Sequence, residues 1–204
     1  MCNLYRMTRT ADEVARLFDS DLVAGGGNVG GEIYPGYPGL VLADGKLRAM
    51  HWGFPLTLTG KSGQKLKPKP VNNARTDKLT GPFWRASFEE RRCLIPLTAW
   101  AEAEGPKGRK TRSWLSLPDG EVFTAAGIWR DSDEWGAVYS MVMTDAAGTA
   151  REVHTRMPAL ISPESRAAWL SGSSQVAFGL CRPFEGELVL ERTDHPWVAR
   201  RGAA

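Results

Sequence analysis

The stretch LVLADGKLRAMHW, residues 40–52, consists of two apolar-rich runs separated by Asp44-Gly45. An Asp-Gly pair readily adopts the positive φ values that a tight turn between antiparallel strands requires, so this stretch predicts a β-hairpin. A second turn signal, Pro118-Asp-Gly120, predicts another hairpin further along the chain. Together they predict a β-rich core, with further strand-like runs at residues 92–97, 112–117, 122–129 and 137–144.

Helical patterns are short and lie between these runs. Thr10-Ala-Asp-Glu13 has capping-box spacing in front of an apolar helical face. Pro82 suits the first position of a helix over residues 82–88, and Ser162-Pro-Glu is a good helix start. This pattern predicts a β-rich core with a few peripheral helices.

Two segments are predicted to be loops. Gly25-Gly-Gly-Asn-Val-Gly30 has the spacing of a dinucleotide fingerprint, but it follows a predicted helix and not a strand, so we interpret it as a flexible loop. Residues 53–74 form the longest loop-like segment, rich in Gly, Pro and Lys. Loops of this length inside a compact domain are usually functional or disordered.

Size and composition favour one globular domain over residues 1–204, with a tail from about residue 196 that is expected to be flexible. The 204 residues are 42% hydrophobic and 24% charged, which is ordinary for a single core. The sequence contains neither a signal-peptide apolar region nor an apolar run that could span a bilayer. We therefore expect a cytoplasmic protein, nucleoid-associated if bacterial, that is a monomer without a membrane partner.

Cysteine and histidine usage argues against a disulfide framework and against a metal site. The cysteines, Cys2, Cys93 and Cys181, are odd in number and widely spaced, which suits reduced thiols. Together with the three histidines they form no recognisable zinc-ligand spacing. No metal and no cofactor are expected.

The net positive charge is small, but the cationic residues cluster in two segments of the chain. The net charge is only +3, so the distribution of the cations matters more than their number. One interpretation of the cationic runs is a solvated loop. Interleaved aromatic residues favour the other, a groove that holds phosphates while aromatic faces stack on bases. The cations concerned are Lys61, Lys65, Lys67, Lys69 and Arg75, with a second cluster at Arg109, Lys110 and Arg112; the aromatic residues are Trp52, Phe54 and Trp84.

Cys2 carries distinctive chemistry if the initiator Met1 is removed. The thiol and the new α-amino group then form a 1,2-aminothiol, which condenses with an aldehyde and closes a five-membered thiazolidine ring. The amine titrates at about 7.7–8.0 and a free thiol at about 8.5, so both nucleophiles are usable near neutrality. A cysteine at this position can equally be a plain exposed or lipid-modified thiol.

Three further side chains are candidates for proton transfer or positioning. Glu102 follows Trp100, beside which desolvation would raise the pKa of the carboxyl group; a plain surface glutamate is the alternative. His154 has the side chain best matched to proton transfer at physiological pH, or it is structural. Asn73 could hold a polar group through its amide, although Asn72-Asn73 is also an ordinary turn dipeptide.

Five separated motifs give these residues a common context. They occur in the order and approximate spacing of the SRAP family, the SOS-response-associated proteins that process abasic sites, and the chain resembles that family over nearly its whole length. The motifs are Cys2 after Met1, Met50-His-Trp-Gly-Phe-Pro55, Asn73-Ala-Arg75, Arg92-Cys-Leu-Ile-Pro96 leading to Trp100-Ala-Glu102, and His154-Thr-Arg-Met-Pro158.

The resemblance implies one α+β domain, largely a β pseudo-barrel, whose cationic groove binds single-stranded DNA containing abasic sites. It implies a thiazolidine crosslink to the DNA through Cys2, with lyase- or hydrolase-like chemistry. It also implies an associated peptidase activity that removes Met1, although a housekeeping aminopeptidase would accept the same substrate. The implied catalytic residues are Cys2, Asn73, Glu102 and His154; the expected DNA contacts are Trp52, Arg75, Lys67, Lys69, Trp84 and Arg156.

The chain departs from the family pattern at three places. Asn3-Leu4 stands where Gly-Arg is common, and Arg6 is the candidate replacement for the missing guanidinium. Asp77 stands in place of a glutamate, and Ala101-Glu102-Ala103 replaces Tyr-Glu-Trp. Two other functions remain open at this point: a cysteine peptidase acting on proteins, and a noncovalent module that binds single-stranded DNA.

Overall fold

The computed structural model describes residues 2–23 and 30–198. The predicted loop at Gly25–Gly30 therefore lies almost entirely outside the described residues, as does the end of the predicted tail. Structure extends into the first part of that tail, because Pro196 ends a strand and the Trp197 amide donates to the Lys110 carbonyl at 2.8 Å.

Strands dominate the described residues. In chain order they are β1 (Tyr5–Met7), β2 (Asp21–Leu22), β3 (Gly31–Ile33), β4 (Pro38–Ala43), β5 (Lys46–Trp52), β6 (Phe54–Leu56), β7 (Lys69–Val71), β8 (Asn73–Arg75), β9 (Arg92–Leu97), β10 (Ala99–Glu104), β11 (Thr111–Ser116), β12 (Phe123–Ser132), β13 (Gly136–Asp145), β14 (Arg156–Pro158), β15 (Leu160–Ile161) and β16 (Val189–Pro196).

The helices are short. They are α1 (Ala11–Leu17), α2 (Arg85–Glu90), α3 (Ala150–Val153), α4 (Arg166–Ser171) and α5 (Ser174–Leu180), with 3-10 turns at Thr76–Lys78 and Pro163–Ser165. Among the described residues, no helix has both the length and the apolar character that crossing a membrane would demand.

Two large sheets build the core. The first has the order β16-β11-β10-β1-β3, and the second the order β14-β13-β12-β9-β4-β5-β2, with β15 beside β12 and β8 beside β13. A separate ribbon pairs β6 with β7. This arrangement confirms the predicted α+β class, a β pseudo-barrel core with peripheral helices in one domain.

Bulky side chains fill the interior. Trp52, Trp100 and Trp169 are each 0% exposed. Burying a large apolar side chain stabilises a fold by about 1.5–3 kcal/mol, so these indoles contribute substantially to holding the sheets together. Trp52 and Trp100 belong to the main cluster, whereas Trp169 packs in a second cluster under α4 and α5.

The local signals at the first hairpin and the first helix are confirmed. β4 and β5 pair from Pro38↔His51 to Ala43↔Lys46, and the turn residues Asp44 and Gly45 have φ values of 52° and 70°. Thr10 caps α1, with its side chain accepting from the Glu13 amide and the Glu13 side chain accepting in return.

Three other predictions are wrong in part. Pro118–Gly120 is a turn, but the strands on either side of it belong to different sheets and do not pair as a hairpin. The helix expected from Pro82 begins at Arg85, because a turn over the Gly81 carbonyl precedes it. Residues 53–74 contain the β6–β7 ribbon and an isolated bridge between Thr59 and Lys65, so this segment is more ordered than a plain loop.

Candidate active site

Pairing between β1 and β10 positions Cys2. Tyr5 pairs with Trp100, and the Ala101 amide donates to the Leu4 carbonyl at 2.9 Å, so the preceding residues run toward Glu102. Cys2 is 0% exposed, and its Sγ donates to the Leu4 carbonyl at 3.4 Å. Burial raises the pKa of the Cys2 thiol well above its usual range, and the negative charge of Glu102 acts in the same direction. The thiol is therefore held in its neutral form.

Two neighbouring amides hold the Cys2 carbonyl. The Nδ2 atoms of Asn72 and Asn73 donate to the Cys2 oxygen at 2.9 and 2.7 Å. Asn72 also donates to the Asn3 side chain at 3.1 Å, while its own carbonyl accepts from the Trp52 indole at 3.0 Å. Sequence reasoning identified Asn73 and missed Asn72, because the pair was read as a turn. Two consecutive amides just before Ala-Arg75 were the available signal.

Glu102 is the buried carboxylate of the site. It lies inside β10, in register with Ser113 of β11, and is 3% exposed. β10 is a separate strand from β9, which corrects the expectation that Glu102 ends a strand running on from Cys93. Burial raises the pKa of Glu102 to about 7, and the positive charge of Lys110 opposes the shift. Desolvation is thus strong even with alanine on both sides of Glu102.

His154 follows α3, which packs against β10. Its Nδ1 accepts a hydrogen bond from the Arg156 amide at 2.9 Å, so in the neutral imidazole the proton is on Nε2. Burial lowers the pKa of His154, and the charges of Arg156 and Lys110 lower it further. The ring is therefore neutral at neutral pH.

An arginine that sequence reasoning missed joins the two segments carrying the carboxylate and the imidazole. Arg192 of β16 contacts Glu104 Oε2 at 3.1 Å and Glu152 Oε2 at 3.3 Å. Glu104 lies two residues after Glu102, and Glu152 lies two residues before His154. The ion pairs therefore bridge β10 and α3 at the surface.

A tyrosine pair connects the two sheets beneath Cys2. The hydroxyl of Tyr5 in β1 forms a hydrogen bond with the hydroxyl of Tyr139 in β13, and both rings are buried. A Cβ atom at position 39 would lie far too close to each hydroxyl oxygen, which is a steric clash. Glycine is therefore required at position 39 for the two hydroxyls to pack against the backbone there. Glu102 lies on the first sheet and Cys2 precedes its strand β1, whereas Asn73 lies on the second sheet.

Of the two indoles expected to contact DNA, Trp52 is closed off in the core, which corrects the prediction for that residue. Trp52 is 0% exposed and stacks on Tyr139, and Trp84 is 7% exposed and packs against Phe54. Trp52 therefore presents no open face to a base, whereas Trp84 lines a surface groove. Their function in the fold is to fix neighbouring backbone, as the Trp52 bond to Asn72 illustrates.

The expected cationic contacts lie near the surface. Arg75 and Arg156 flank β13 from opposite sides, at the Met143 and Asp145 positions of its register. Both approach Asp77, which Arg75 contacts at 2.6 Å and Arg156 at 3.8 Å. Lys67 and Lys69 are exposed.

A sequence model of one family, SOS response associated peptidase (SRAP), matches residues 1–194. The chain belongs to the SRAP family. Two curated proteins resemble it. Abasic site processing protein YMR114C of Saccharomyces cerevisiae is 29% identical over 130 residues, 61% of this chain and 34% of the yeast protein. Abasic site processing protein YoqW of Bacillus subtilis is 25% identical over 190 residues, 84% of this chain and 80% of YoqW. This SRAP chain therefore spans about a third of the yeast relative.

Solved structures share the SRAP fold. A protein from Bordetella bronchiseptica superposes with a TM-score of 0.78 at 20% identity, covering 94% of this chain and 99% of that one. A protein from Bacteroides thetaiotaomicron gives 0.75 at 20% identity, covering 94% and 91%. These likenesses support the architecture described above.

The departures of this chain from the SRAP pattern are accommodated in the structure. Leu4 packs in a small apolar cluster with Ala101 and Trp114. Arg6 lies over the Trp114 ring, 4.4 Å from its centroid, and pairs with Glu191 at 3.6 Å. The guanidinium expected to compensate for Leu4 is thus engaged on the first sheet. Within residues 2–23 and 30–198, no group of three or more metal-binding side chains occurs.

The pKa of Glu102 predicts how the stability of this SRAP domain depends on pH. The folded state holds a proton up to about pH 7, whereas the ordinary pKa is 4.5. The contribution of Glu102 to stability is therefore fully present below pH 4.5 and is lost as the pH rises through 7, by roughly 3 kcal/mol. Urea unfolding at pH 5 and pH 8 measures this loss. Glu102→Gln should remove it and an exposed control, Glu89→Gln, should keep it; an unchanged slope in Glu102→Gln would contradict the assignment.

Proposed function

We propose that this SRAP protein captures abasic sites in single-stranded DNA as a thiazolidine crosslink to Cys2 after removal of Met1, which shields the lesion. The observation that carries the proposal is the Cys2 carbonyl held by two amides beside a buried carboxylate whose pKa is about 7. Family membership and the names of the yeast and Bacillus relatives support it. We further propose that the protein acts as a monomer in the cytoplasm, at the nucleoid if bacterial.

The capture consists of two bond-forming steps. The deoxyribose opens to its aldehyde, and the Cys2 amine adds to the carbonyl carbon and expels one water to give a Schiff base. The sulfur then bonds to the same carbon while its proton passes, through a base, to the nitrogen. The product is a five-membered ring, and no oxidant or reductant is consumed. These two steps need the amine, thiol and aldehyde in one geometry. The two amides that hold the Cys2 carbonyl support this proposal, because they restrict the residue that carries the amine and the thiol.

Proton transfer falls to Glu102 and His154. Because the buried thiol is neutral, a base must take its proton as the carbon–sulfur bond forms, and Glu102 has a pKa suited to that task near neutrality. His154 is neutral and carries its proton on Nε2. Its Nε2–H can therefore donate a hydrogen bond to the ring oxygen of the sugar as the ring opens, while the proton that this oxygen gains is the one that the anomeric hydroxyl loses.

Cations near β13 would hold the DNA backbone. Arg75 and Arg156 have exposed fractions of 41% and 21% at their side chains, and the exposed Lys67 and Lys69 precede β8. Guanidinium groups bind phosphate oxygens in a bidentate manner. Recognition of the backbone, and not of base edges, suits a lesion that has lost its base.

The direct test is intact-mass analysis and a denaturing gel with mature protein and a single-stranded oligonucleotide containing one abasic site. The expected product survives denaturation, and its mass is the sum of protein and DNA less one water. A matched oligonucleotide with a tetrahydrofuran analogue, which lacks the aldehyde, should give no product, and neither should protein that retains Met1.

The alternatives predict different results in the same assay. A noncovalent binding module would shift both oligonucleotides on a native gel and neither on a denaturing gel. A peptidase that acts on proteins would bind neither strand. Either result would refute covalent capture.

Removing one or both of the amide donors is expected to slow capture by increasing amounts. Asn72→Ala and Asn73→Ala each remove one donor to the Cys2 carbonyl, and each should slow capture by up to about tenfold, the value of one net hydrogen bond. The double variant should be slower than either alone, because neither donor then remains. Single-turnover rates measure this. Rates unchanged in the double variant would show that the clamp does not position Cys2.

Asp77 is expected to compete with DNA phosphate. Its carboxylate accepts from Arg75 at 2.9 and 2.6 Å, the fork geometry that a phosphate would use. Asp77→Asn should therefore raise the noncovalent affinity for single-stranded DNA. It should steepen the log–log salt slope by about 0.7 for each cation released. Asp133→Asn makes the same change of net charge at an exposed position; an equal gain in that control would mean that only total charge matters.

A further inference from the structure

An apolar groove includes Val71, two residues before Asn73, and has no part in the proposed capture chemistry. Its volume is about 350 Å³, and its lining, almost wholly apolar, comprises Leu56, Val71, Lys78, Pro82, Phe83 and Trp84. This volume is within the range of about 300–1,000 Å³ found for small-molecule sites. Leu56 is 38% exposed although it is apolar.

Phe83 gives the groove a rigid aromatic wall. Its ring meets the Trp84 ring edge to face, with centroids 4.6 Å apart and planes at 87°. Phe54 lies behind both rings, and the Arg130 guanidinium lies 5.1 Å from the Phe83 centroid. Contacts of this kind hold an aromatic ring in one orientation, which suits stacking with a flat ligand.

Lysines rim the apolar surface. Lys69 lies directly opposite Leu56 in the β6–β7 ribbon, and directly opposite residues project from the same face. Lys69 is also two residues before Val71 in the same strand, which again puts both side chains on one face. The Lys69 side chain therefore projects on the groove face. Lys78 lines the opposite part of the groove. An apolar slot with an aromatic wall and a cationic rim fits a nucleobase that carries its own phosphate.

The groove and the site are close along the chain. Val71 is two residues from Asn73, which holds the Cys2 carbonyl, and two residues of extended chain span roughly 7 Å. At about 3.4 Å per nucleotide along a stacked strand, this distance corresponds to one or two nucleotides.

We propose that this groove binds one unpaired nucleobase of the strand that flanks the abasic site, stacked on Phe83, with its phosphate between Lys69 and Lys78. The inference rests on the proposed function, since it takes the strand to be the one captured at Cys2. The base fixes the register of the strand, so that the baseless sugar is the one placed at Cys2.

Photocrosslinking tests this without the capture chemistry. A set of single-stranded oligonucleotides carries the tetrahydrofuran analogue and 5-iodouracil at one position after another on either side of it. One position should give an adduct on the peptide that contains Phe83 and Trp84. Adducts spread evenly over the positions, or mapping elsewhere on the protein, would overturn the proposal, as would failure of the oligonucleotides to bind.

Three variants distinguish binding of DNA in the groove from nonspecific electrostatic attraction. Phe83→Leu keeps apolar bulk but removes the stacking face, and it should lower affinity by about five- to a hundredfold. Leu56→Glu should also lower it, whereas Leu58→Glu, at a 49% exposed position outside the lining, should keep wild-type affinity. Equal losses in both glutamate variants would overturn the proposal. Melting temperatures check that each variant folds.

The two proposals fail in different ways. If the groove does not bind a base, the Cys2 adduct with aldehyde-bearing DNA still forms but no iodouracil adduct reaches Phe83. If capture at Cys2 is wrong, the photoadduct forms and the denaturant-stable product of the abasic strand does not.

Discussion

Cys2→Ser is expected to abolish the stable DNA adduct while leaving the first chemical step in place. The serine variant keeps the α-amine, so it still forms a Schiff base with the abasic aldehyde. It lacks the sulfur that closes the thiazolidine, so the Schiff base hydrolyses. The substitution is nearly isosteric, and a hydroxyl can keep the donor contact that Sγ makes with the Leu4 carbonyl.

Borohydride reduction distinguishes the two steps. With the reductant present, Cys2→Ser and wild type should both give trapped products on a denaturing gel; without it, only wild type should. A stable serine adduct formed without reductant would show that the thiol is dispensable. Absence of a trapped product from a folded variant would show that the amine is not the nucleophile.

Glu102→Gln is expected to slow covalent capture by about 100- to 10,000-fold, the usual range for loss of a positioned acid or base. Glutamine keeps the shape of the side chain but cannot accept the thiol proton. In wild type the carboxylate form prevails above pH 7, since the pKa of Glu102 is about 7. The single-turnover rate should therefore fall as the pH falls below 7.

The pH profile of the variant is the second readout. In Glu102→Gln the capture rate should no longer rise near pH 7, a rise that we call the wild-type limb of the profile. Only the later rise that belongs to deprotonation of the α-amine, at about 7.7–8.0, should remain. Glu104→Gln, two residues away in β10, is the positional control and should keep the wild-type limb. If Glu102→Gln retained that limb, another group would have to be the base.

Local chemistry explains which parts of the fold could be predicted. The turn at Asp44-Gly45 and the cap at Thr10 depend on residues within a few positions, and both formed as expected. The change from β9 to β10 depends on Thr98, whose amide donates to the distant Arg6 carbonyl at 2.9 Å. No pattern within residues 92–102 marks that break, so the two strands were read as one.

The candidate site, like the fold, could be predicted from the sequence only in part. The spacing of motifs identified Cys2, Asn73, Glu102 and His154, and the structure places Asn73 on the Cys2 carbonyl. Burial separates an indole that contacts DNA from one that supports the backbone, and composition does not reveal burial. Trp52 was misassigned for that reason. Arg192 was missed because both of its partners are distant in sequence.

The tyrosine hydrogen bond between β1 and β13 has a mechanical consequence. Asn73 of the second sheet holds the carbonyl of Cys2, which precedes β1 of the first sheet, and a displacement of about 1 Å between them would cost roughly 100-fold in rate. Local opening of a protein requires less free energy than global unfolding. Capture should therefore cease at urea concentrations below those that unfold the barrel, which paired measurements of capture rate and far-ultraviolet circular dichroism along one titration would reveal.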